Sequence, residues 1–466
     1  MKDNILEEYG FNERAFRRLQ EEYRTGKRSL KTNIITCGNI RVVKVPRPED
    51  STALPSPSSA DYDAGLGILS RNEYGLIFMN GGAATRFQKP GENLPKGAFE
   101  IMEMEGKKRS FIELKLAHVL WAQQEFGTRI PVWILNSFTT APRTLDILKS
   151  KGNFGHGQVM TYNQGIMKRV IPTPDDLETH YGSKIEKLEK KIGLMERGEE
   201  RDLAVKEKDA LQTSLREWIE DVRGKEGDVV KTSSGEESYN PPGHLDTVIW
   251  LVLDKGRPIL RMIELGIEFF GVSNIDNLGA TVDPSLPGLL SLSGARGIHL
   301  LCEVSKKPAG QKGGTLVRIL DPDGEREWPQ LLEEFAFPPG FDQDSIPEFN
   351  NATYTVSVRA LLDLFGLGRD ELERLSQEEL GKRMDSVIAK FPVYIAMKEL
   401  KESRGGREVV RPVVQFERLL GDLSTQLRPF AVKTVDRFFP VKSRADIPIV
   451  VPELRRILQH RVILGT

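Results

Sequence analysis

The chain has 466 residues, of which 39% are hydrophobic and 29% are charged, a balance typical of proteins with packed cores and solvated surfaces. Its 66 basic and 67 acidic residues give a formal net charge of −1, which excludes a uniformly basic surface for nucleic acid or an anionic membrane. The longest apolar runs, such as residues 248–253, are too short to cross a bilayer, and the first ten residues lack a secretory signal pattern. We therefore expect a cytoplasmic protein that binds neither nucleic acid nor membranes.

The N-terminal region is predicted to be an extension that precedes the main domain. Residues 7–23 are charged, with Phe11, Phe16 and Leu19 available for packing, and predict a helix, whereas residues 34–45 predict a strand. Residues 46–60 are rich in Pro and Ser, which disfavour both helices and central strands. We therefore place an N-terminal extension and linker at residues 1–60.

From residue 67 onwards, short apolar runs alternate with longer amphipathic segments, which is the pattern of an α/β domain. The simplest architecture is a doubly wound, mostly parallel sheet, and such sheets bind ligands beyond the carboxyl ends of their strands. We expect a catalytic domain at residues 61–410 and a short C-terminal segment at residues 411–466. The pattern predicts strands at residues 75–79, 131–135, 158–162, 268–272 and 299–304, and helices at residues 110–125 and 255–265.

A densely charged segment at residues 178–224 is predicted to be an inserted helical hairpin that turns near Gly198. A projecting structural hairpin, a lid over the site and a subunit contact all fit this pattern, and the sequence does not decide between them. The apolar residues recur at helical spacing in two stripes, Ile185, Leu188, Ile192 and Met195, then Leu211, Leu215, Trp218, Ile219 and Val222.

A glycine-rich turn follows the first predicted strand of the catalytic domain. Asn80, Gly81 and Gly82 end the apolar run, and Arg86 and Lys96 lie downstream. Glycines let the backbone approach a nucleotide, and the two cations can neutralise phosphate oxygens. The segment matches neither the phosphate-loop pattern GxxxxGK[ST] nor the dinucleotide pattern GxGxxG, and a glycine pair on its own more often only makes a turn.

Seven segments occur here in the same order as in one enzyme family, over about residues 76–447, with the charged hairpin between them. They are LIFMNGGAATRF with LPKGAFEI, IPVWILNSFTT, TYNQG, YNPPGHLD, EFFGVSNIDNLGATVD, CEVSKKPAGQKGGTLVRI and RFFPVKSRADI. In these segments the chain resembles the eukaryotic-type UTP–glucose-1-phosphate uridylyltransferases. The resemblance implies a GT-A-like, Rossmann-related nucleotidyltransferase domain that uses Mg²⁺.

The resemblance also implies which residues bind UTP. Gly81 and Gly82 would line the uridine and the phosphates, and Lys96 would contact the triphosphate. The side-chain amide of Gln164 and the backbone of Gly243 would hold the uracil.

A second group of residues is assigned by the same resemblance to the sugar phosphate and the metal. His244 would contact the sugar 1-phosphate, and Asn274 would lie near the sugar. Asp276 would coordinate Mg²⁺ at the end of its strand, and Lys442 would bind phosphate from the C-terminal segment.

The implied reaction is attack by a sugar-phosphate oxygen on the α-phosphorus of UTP, which brings two anions together. Cations must screen the two anions, and a nucleophile that is already ionised at pH 7 needs no general base. Lys96, Arg86 and Lys442 are therefore the predicted catalytic residues. Each such residue alone would more often be a surface lysine or a turn residue, and only their joint order favours a site.

Transfer to glucose 1-phosphate is the leading functional prediction, and two alternatives stay open. The first is the same reaction on galactose 1-phosphate or N-acetylglucosamine 1-phosphate. The second is a catalytically weak homologue that binds a UDP-sugar and regulates a partner, because Ala84 replaces a loop glycine of the family pattern. The sequence does not fix the number of subunits.

Overall fold

A computed structural model describes residues 2–35, 42–44, 57–82, 87–88, 94–307, 313–320, 327–404 and 407–464. The chain forms two compact units, each built from separated segments of sequence. The smaller unit comprises Met1–Thr36, Ile166–Gly243 and Val393–Arg418, and the larger unit comprises Cys37–Gly165, His244–Pro392 and Leu419–Thr466. Within the described ranges, every helix is too short or too polar to span a membrane.

The larger unit is a layered α/β structure. Its strands are β1 (Val42–Lys44), β2 (Tyr74–Met79), β3 (Glu100–Met104), β4 (Lys107–Ser110), β5 (Val132–Asn136), β6 (Val159–Asn163), β9 (Phe269–Asn274), β10 (Leu300–Lys306), β11 (Thr315–Leu320), β12 (Glu327–Leu332), β13 (Glu348–Ser357) and β16 (Pro429–Lys433). Its helices are α3 (Ser59–Ser70), α4 (Phe111–Phe126), α5 (Ala141–Ser150), α8 (Asp246–Leu253), α9 (Pro258–Glu264), α10 (Ser285–Ser293), α11 (Val358–Phe365), α12 (Arg369–Arg374), α13 (Gln377–Ile388) and α14 (Ile447–Leu458).

The central sheet of the larger unit has the strand order β16-β10-β13-β9-β2-β5-β6 in the described residues. The pairs β2–β5, β2–β9, β5–β6 and β10–β16 are parallel, whereas β13 runs antiparallel to both of its neighbours. Met79 pairs with both Leu135 and Asn274, so the carboxyl ends of three strands meet at one edge. The predicted mostly parallel α/β sheet is therefore confirmed.

Burial explains why the predicted strands form where they do. Every residue of β2 is buried, as expected for a central strand with helices on both faces. The five predicted strands are observed within two residues of their expected limits. Helix α4 also matches its prediction, because Ser110 accepts a hydrogen bond from the Glu113 amide at its start and Gly127 ends it at a φ of 59°.

The smaller unit contains the predicted helical hairpin. Its helices are α1 (Lys2–Glu8), α2 (Glu13–Arg24), α6 (Pro174–Leu194) and α7 (Glu199–Val222), and its strands are β7 (Met167–Lys168), β8 (Tyr239–Asn240), β14 (Tyr394–Arg404) and β15 (Arg407–Glu417). The α6–α7 hairpin packs through Tyr181 and Val222 against the buried side chains of Tyr23 and Phe416. The Tyr23 hydroxyl also donates a hydrogen bond of 2.7 Å to Asp176 at the start of α6. The base of the hairpin is therefore part of the core of this unit.

Several predicted limits near the N-terminus were wrong. The predicted helix 7–23 is two helices, because Gly10 adopts a φ of 59° and Asn12 caps a new helix by accepting from the Ala15 amide. The predicted strand 34–45 is observed only at Val42–Lys44 within the described residues, and residues 34–35 lie outside any strand. The predicted linker overlaps α3, which Ser58 caps through the Asp61 amide.

The predicted helix 255–265 begins later than expected. It starts at Pro258, because Arg257 before it adopts a φ of 43°, which is incompatible with a helix. Pro258 itself suits the first turn, where a missing amide proton costs no intrahelical bond.

Candidate active site

The carboxyl end of β2 is fixed by a buried asparagine. The side-chain nitrogen of Asn80 donates to the Asn136 side-chain oxygen at 2.9 Å and to the Thr144 hydroxyl at 3.0 Å. Its side-chain oxygen accepts from the Gly97 amide at 2.9 Å. Asn80 therefore joins the ends of β2 and β5 to the short turn that begins at Lys96. Sequence reasoning missed this role, although a polar residue directly after a buried strand was a signal for it.

Gly81 lies against Gln164, as expected for two residues predicted to bind one nucleotide. A Cβ atom at Gly81 would lie 2.6 Å from the Gln164 side-chain oxygen, so a side chain would displace that amide. The Ser137 hydroxyl donates to the Gly81 carbonyl at 2.8 Å and fixes the turn. Among the described residues, no atom outside the turn itself lies within 4 Å of a Cβ placed at Gly82.

Asp276 is the centre of the charged cluster, which comprises Asp276, Lys96 and Lys442. Its side chain is only 3% exposed, and it forms an ion pair with the Lys96 ammonium. The Lys442 ammonium lies 3.9 Å from the same carboxylate oxygen. Two cations therefore face one anion, which leaves one positive charge to attract a phosphate. Lys442 is 52% exposed and Lys96 is 18% exposed, so both can be reached from solvent.

Backbone hydrogen bonds place Lys442 beside Asp276, although the two are far apart in sequence. The Val441 amide donates to the Asp276 carbonyl at 3.2 Å, and the Phe439 amide donates to the Asn277 side-chain oxygen at 3.0 Å. The amide of Lys442 itself donates to the Asp446 carboxylate at 2.8 Å. The chain after β16 is thus held along the turn that carries Asp276.

His244 belongs to the same charged environment. The Leu420 amide donates to His244 Nδ1 at 2.7 Å. Burial, together with the nearby Lys442 ammonium, lowers the pKa of His244 to about 4. The ring is therefore neutral at pH 7, and because Nδ1 accepts, its proton is on Nε2. His244 can donate one hydrogen bond to an anion, but it does not add a charge.

Three predicted site residues remain, and the structure describes two of them. Asn274 ends β9 in register with Met79, so it shares the sheet edge with Gly81. Gly243 lies in the smaller unit, where a Cβ atom would fall 2.2 Å from the Arg418 carbonyl oxygen, and its contact with uracil stays a prediction. Arg86 lies outside the described residues.

The donor atoms at this edge fit a magnesium ion that is completed by substrate. In the part of the chain that the structure describes, three or more His, Cys, Asp or Glu side chains do not gather as a metal cluster. Magnesium in nucleotide sites is commonly held by one or two carboxylates, with phosphate oxygens and water as the other ligands. Asp276, buried and placed beside the Lys96 and Lys442 ammoniums, matches that ligand set.

The sequence matches the model of one protein family over most of its length. The family model described as UTP–glucose-1-phosphate uridylyltransferase matches residues 14–209 and 225–464. A relative with that name from Saccharomyces cerevisiae is 23% identical over 398 residues, which are 84% of this chain and 62% of the yeast protein. The chain thus spans less than two thirds of the length of that relative.

Two solved structures share the fold. A UDP-glucose phosphorylase from Trypanosoma brucei matches with a TM-score of 0.60 and 18% identity, over 95% of this chain and 77% of that one. A uridine diphosphate N-acetylglucosamine pyrophosphorylase from the same organism matches with a TM-score of 0.61 and 15% identity, over 96% and 77%. At these identities the structures show the fold alone. Because the family model spans most of the sequence, however, the chain belongs to the UTP–glucose-1-phosphate uridylyltransferase family.

Proposed function

We propose that the chain transfers a uridylyl group from UTP to glucose 1-phosphate and releases UDP-glucose and pyrophosphate. The observation that supports this most strongly is the charged cluster, in which the Lys96 and Lys442 ammoniums face the buried Asp276 carboxylate. The cluster lies in the unit whose glycine turn brings Gly81 against Gln164. Membership of the family supports the same reaction.

The chemistry requires positioned cations rather than a base. A phosphate oxygen of the sugar 1-phosphate forms a bond to the α-phosphorus of UTP, and the bond from that phosphorus to the bridging oxygen of pyrophosphate breaks. The electron pair of the broken bond stays on the departing pyrophosphate. Lys96 and Lys442 stabilise the negative charge that develops on the phosphoryl oxygens. Folding already orients their ammoniums, so the reaction does not have to order them.

His244 would orient the attacking group. Its neutral ring can donate from Nε2 to a sugar-phosphate oxygen, because Nδ1 is already occupied by the Leu420 amide. A neutral donor can orient the anion without protonating the phosphate oxygen that must attack.

Magnesium is part of the proposal, and Asp276 is the residue that would hold it. A bound Mg²⁺ would supply further charge compensation for the triphosphate. Lys96 pairs with the same carboxylate, so its ammonium would add to that charge compensation.

The test is release of pyrophosphate by the purified chain. The protein is incubated with UTP, Mg²⁺ and, separately, glucose, galactose and N-acetylglucosamine 1-phosphate, and pyrophosphate is measured with time. We expect turnover with glucose 1-phosphate to exceed turnover with the other two sugars. Faster turnover with another sugar 1-phosphate would identify that compound, rather than glucose 1-phosphate, as the substrate. Binding of UDP-glucose without turnover on any sugar would refute the enzyme and favour the regulatory homologue.

A further inference from the structure

A buried lysine lies behind the proposed site, and the reaction does not use it directly. Lys115 faces the core from α4, and only 3% of its surface is exposed. Its neighbours along the helix, Leu114 and Leu116, are buried apolar residues. A lysine at such a position is costly, because its ammonium loses hydration that an apolar residue would not need.

The ammonium of Lys115 has three partners, two hydrogen-bond acceptors and one aromatic ring. It donates to the Ser273 hydroxyl at 3.0 Å and to the Ala280 carbonyl at 3.0 Å, and it lies 5.0 Å from the centre of the Phe78 ring. Ser273 is in β9, and Ala280 follows the turn after that strand. Lys115 therefore bonds to both ends of the segment 274–279.

That segment carries two of the predicted site residues, Asn274 and Asp276. The segment is also attached by backbone hydrogen bonds, from the Ile275 amide to the Met79 carbonyl at 3.1 Å and from the Val441 amide to the Asp276 carbonyl. The side chains of Asn277 and Asp276 add a hydrogen bond from the Phe439 amide and the ion pair with Lys96. Lys115 adds hydrogen bonds to the residues directly before and after the segment. Without it, both ends of the turn would lose a hydrogen-bond donor.

Charged groups around Lys115 shift its pKa in opposite directions. Its pKa is lowered to about 7, chiefly by burial and also by the Arg437 guanidinium, while the Asp276 and Glu303 carboxylates act in the opposite direction. His118, one turn along the same helix, is neutral, because burial lowers its pKa to about 3. The carboxylates therefore favour the ammonium, which is the form that donates all three protons.

We propose that Lys115 is a positioning residue, which holds the turn bearing Asn274 and Asp276 in the geometry that uridylyl transfer requires. This inference rests on the proposed function. It explains why a costly lysine occupies a core position that an apolar side chain of similar length would fill with greater stability.

The test separates positioning from packing by measuring turnover and stability in the same variants of the full chain. Lys115→Met keeps the length of the side chain and removes the donor. We expect at least a tenfold loss of kcat, with a urea unfolding midpoint that is unchanged or higher. Ser273→Ala removes one of the two bonds and should lower kcat less. In the double variant the losses should not multiply, because both changes break the same contact. Lys108→Met, at an exposed lysine of β4, is the control and should match the unchanged chain.

The outcomes distinguish this inference from the proposed function. Turnover within twofold of the unchanged chain in both single variants would overturn it. A loss of turnover that accompanies a lower urea midpoint in both variants, or losses that multiply in the double variant, would also overturn it. If the unchanged chain releases no pyrophosphate, the proposed function fails by itself. UTP affinity then replaces kcat as the measured quantity, and equal affinity in Lys115→Met and the unchanged chain would overturn the inference.

Discussion

Replacement of Lys442 by alanine should separate catalysis from folding. The Lys442 ammonium lies 3.9 Å from a carboxylate oxygen of Asp276, and its side chain is 52% exposed. Exposed ion pairs contribute about 0–1 kcal/mol to stability, so Lys442→Ala should lower the free energy of unfolding by less than about 1 kcal/mol. Loss of a positioned donor to developing phosphoryl charge costs on the order of 3 kcal/mol in the transition state, or about 100-fold in rate.

A matched control is available at Lys433. Its ammonium lies 3.5 Å from the Glu348 carboxylate, and its side chain is 41% exposed, so the pair resembles that of Lys442 and Asp276 in exposure and geometry. Both variants are compared by pyrophosphate release with saturating UTP and by urea unfolding. We expect Lys433→Ala to keep full turnover. If Lys442→Ala stays within about threefold of Lys433→Ala in kcat, Lys442 does not act on the triphosphate and the reasoning fails.

Three further predictions concern other parts of the molecule. Gly81→Ala should raise the KM for UTP by roughly tenfold with the fold intact, because its Cβ would displace the Gln164 amide; an unchanged KM would remove Gly81 from the nucleotide site. Burial lowers the pKa of Lys115 from 10.5 to about 7, so between pH 7 and 10 the folded chain releases a proton that the unfolded chain keeps. Over that window this group adds up to about 1.4 kcal/mol of unfolding free energy per pH unit, and urea titrations should show that Lys115→Met lacks this rise. Tyr23→Phe should cost about 1–3 kcal/mol of stability in urea without lowering kcat, since buried Asp176 loses a donor; an unaltered midpoint would contradict this.

Parts of the site were predictable from sequence because they follow strand ends directly. The Gly81 turn comes after the continuous apolar run of β2, and parallel strands bring such turns to one edge of a sheet. The role of Asp276 was expected from the family resemblance. The attachment of Lys442 was predictable only through the family resemblance. Its proximity to Asp276 depends on backbone hydrogen bonds between segments that share no local pattern.

Local conformation explains the errors near the N-terminus. The apolar spacing of Phe11, Phe16 and Leu19 is compatible with one helix, but a glycine at positive φ and an asparagine cap divide it. Hydrophobic periodicity reports which residues are buried and is insensitive to a single residue that turns the chain.

The sequence by itself determined the α/β alternation and the helical hairpin, because these depend on local pattern. The family, and with it most charged side chains of the proposed site, followed from the resemblance of seven ordered segments. Only the tertiary structure decided that residues 2–35, 166–243 and 393–418 form one compact unit, and that Lys115 bonds to both ends of the Asp276 turn. In sequence, Lys115 is one more charged residue on an amphipathic helix. Its burial and its three partners arise from packing between α4 and β9, which are distant in the chain, and no local periodicity encodes such a contact.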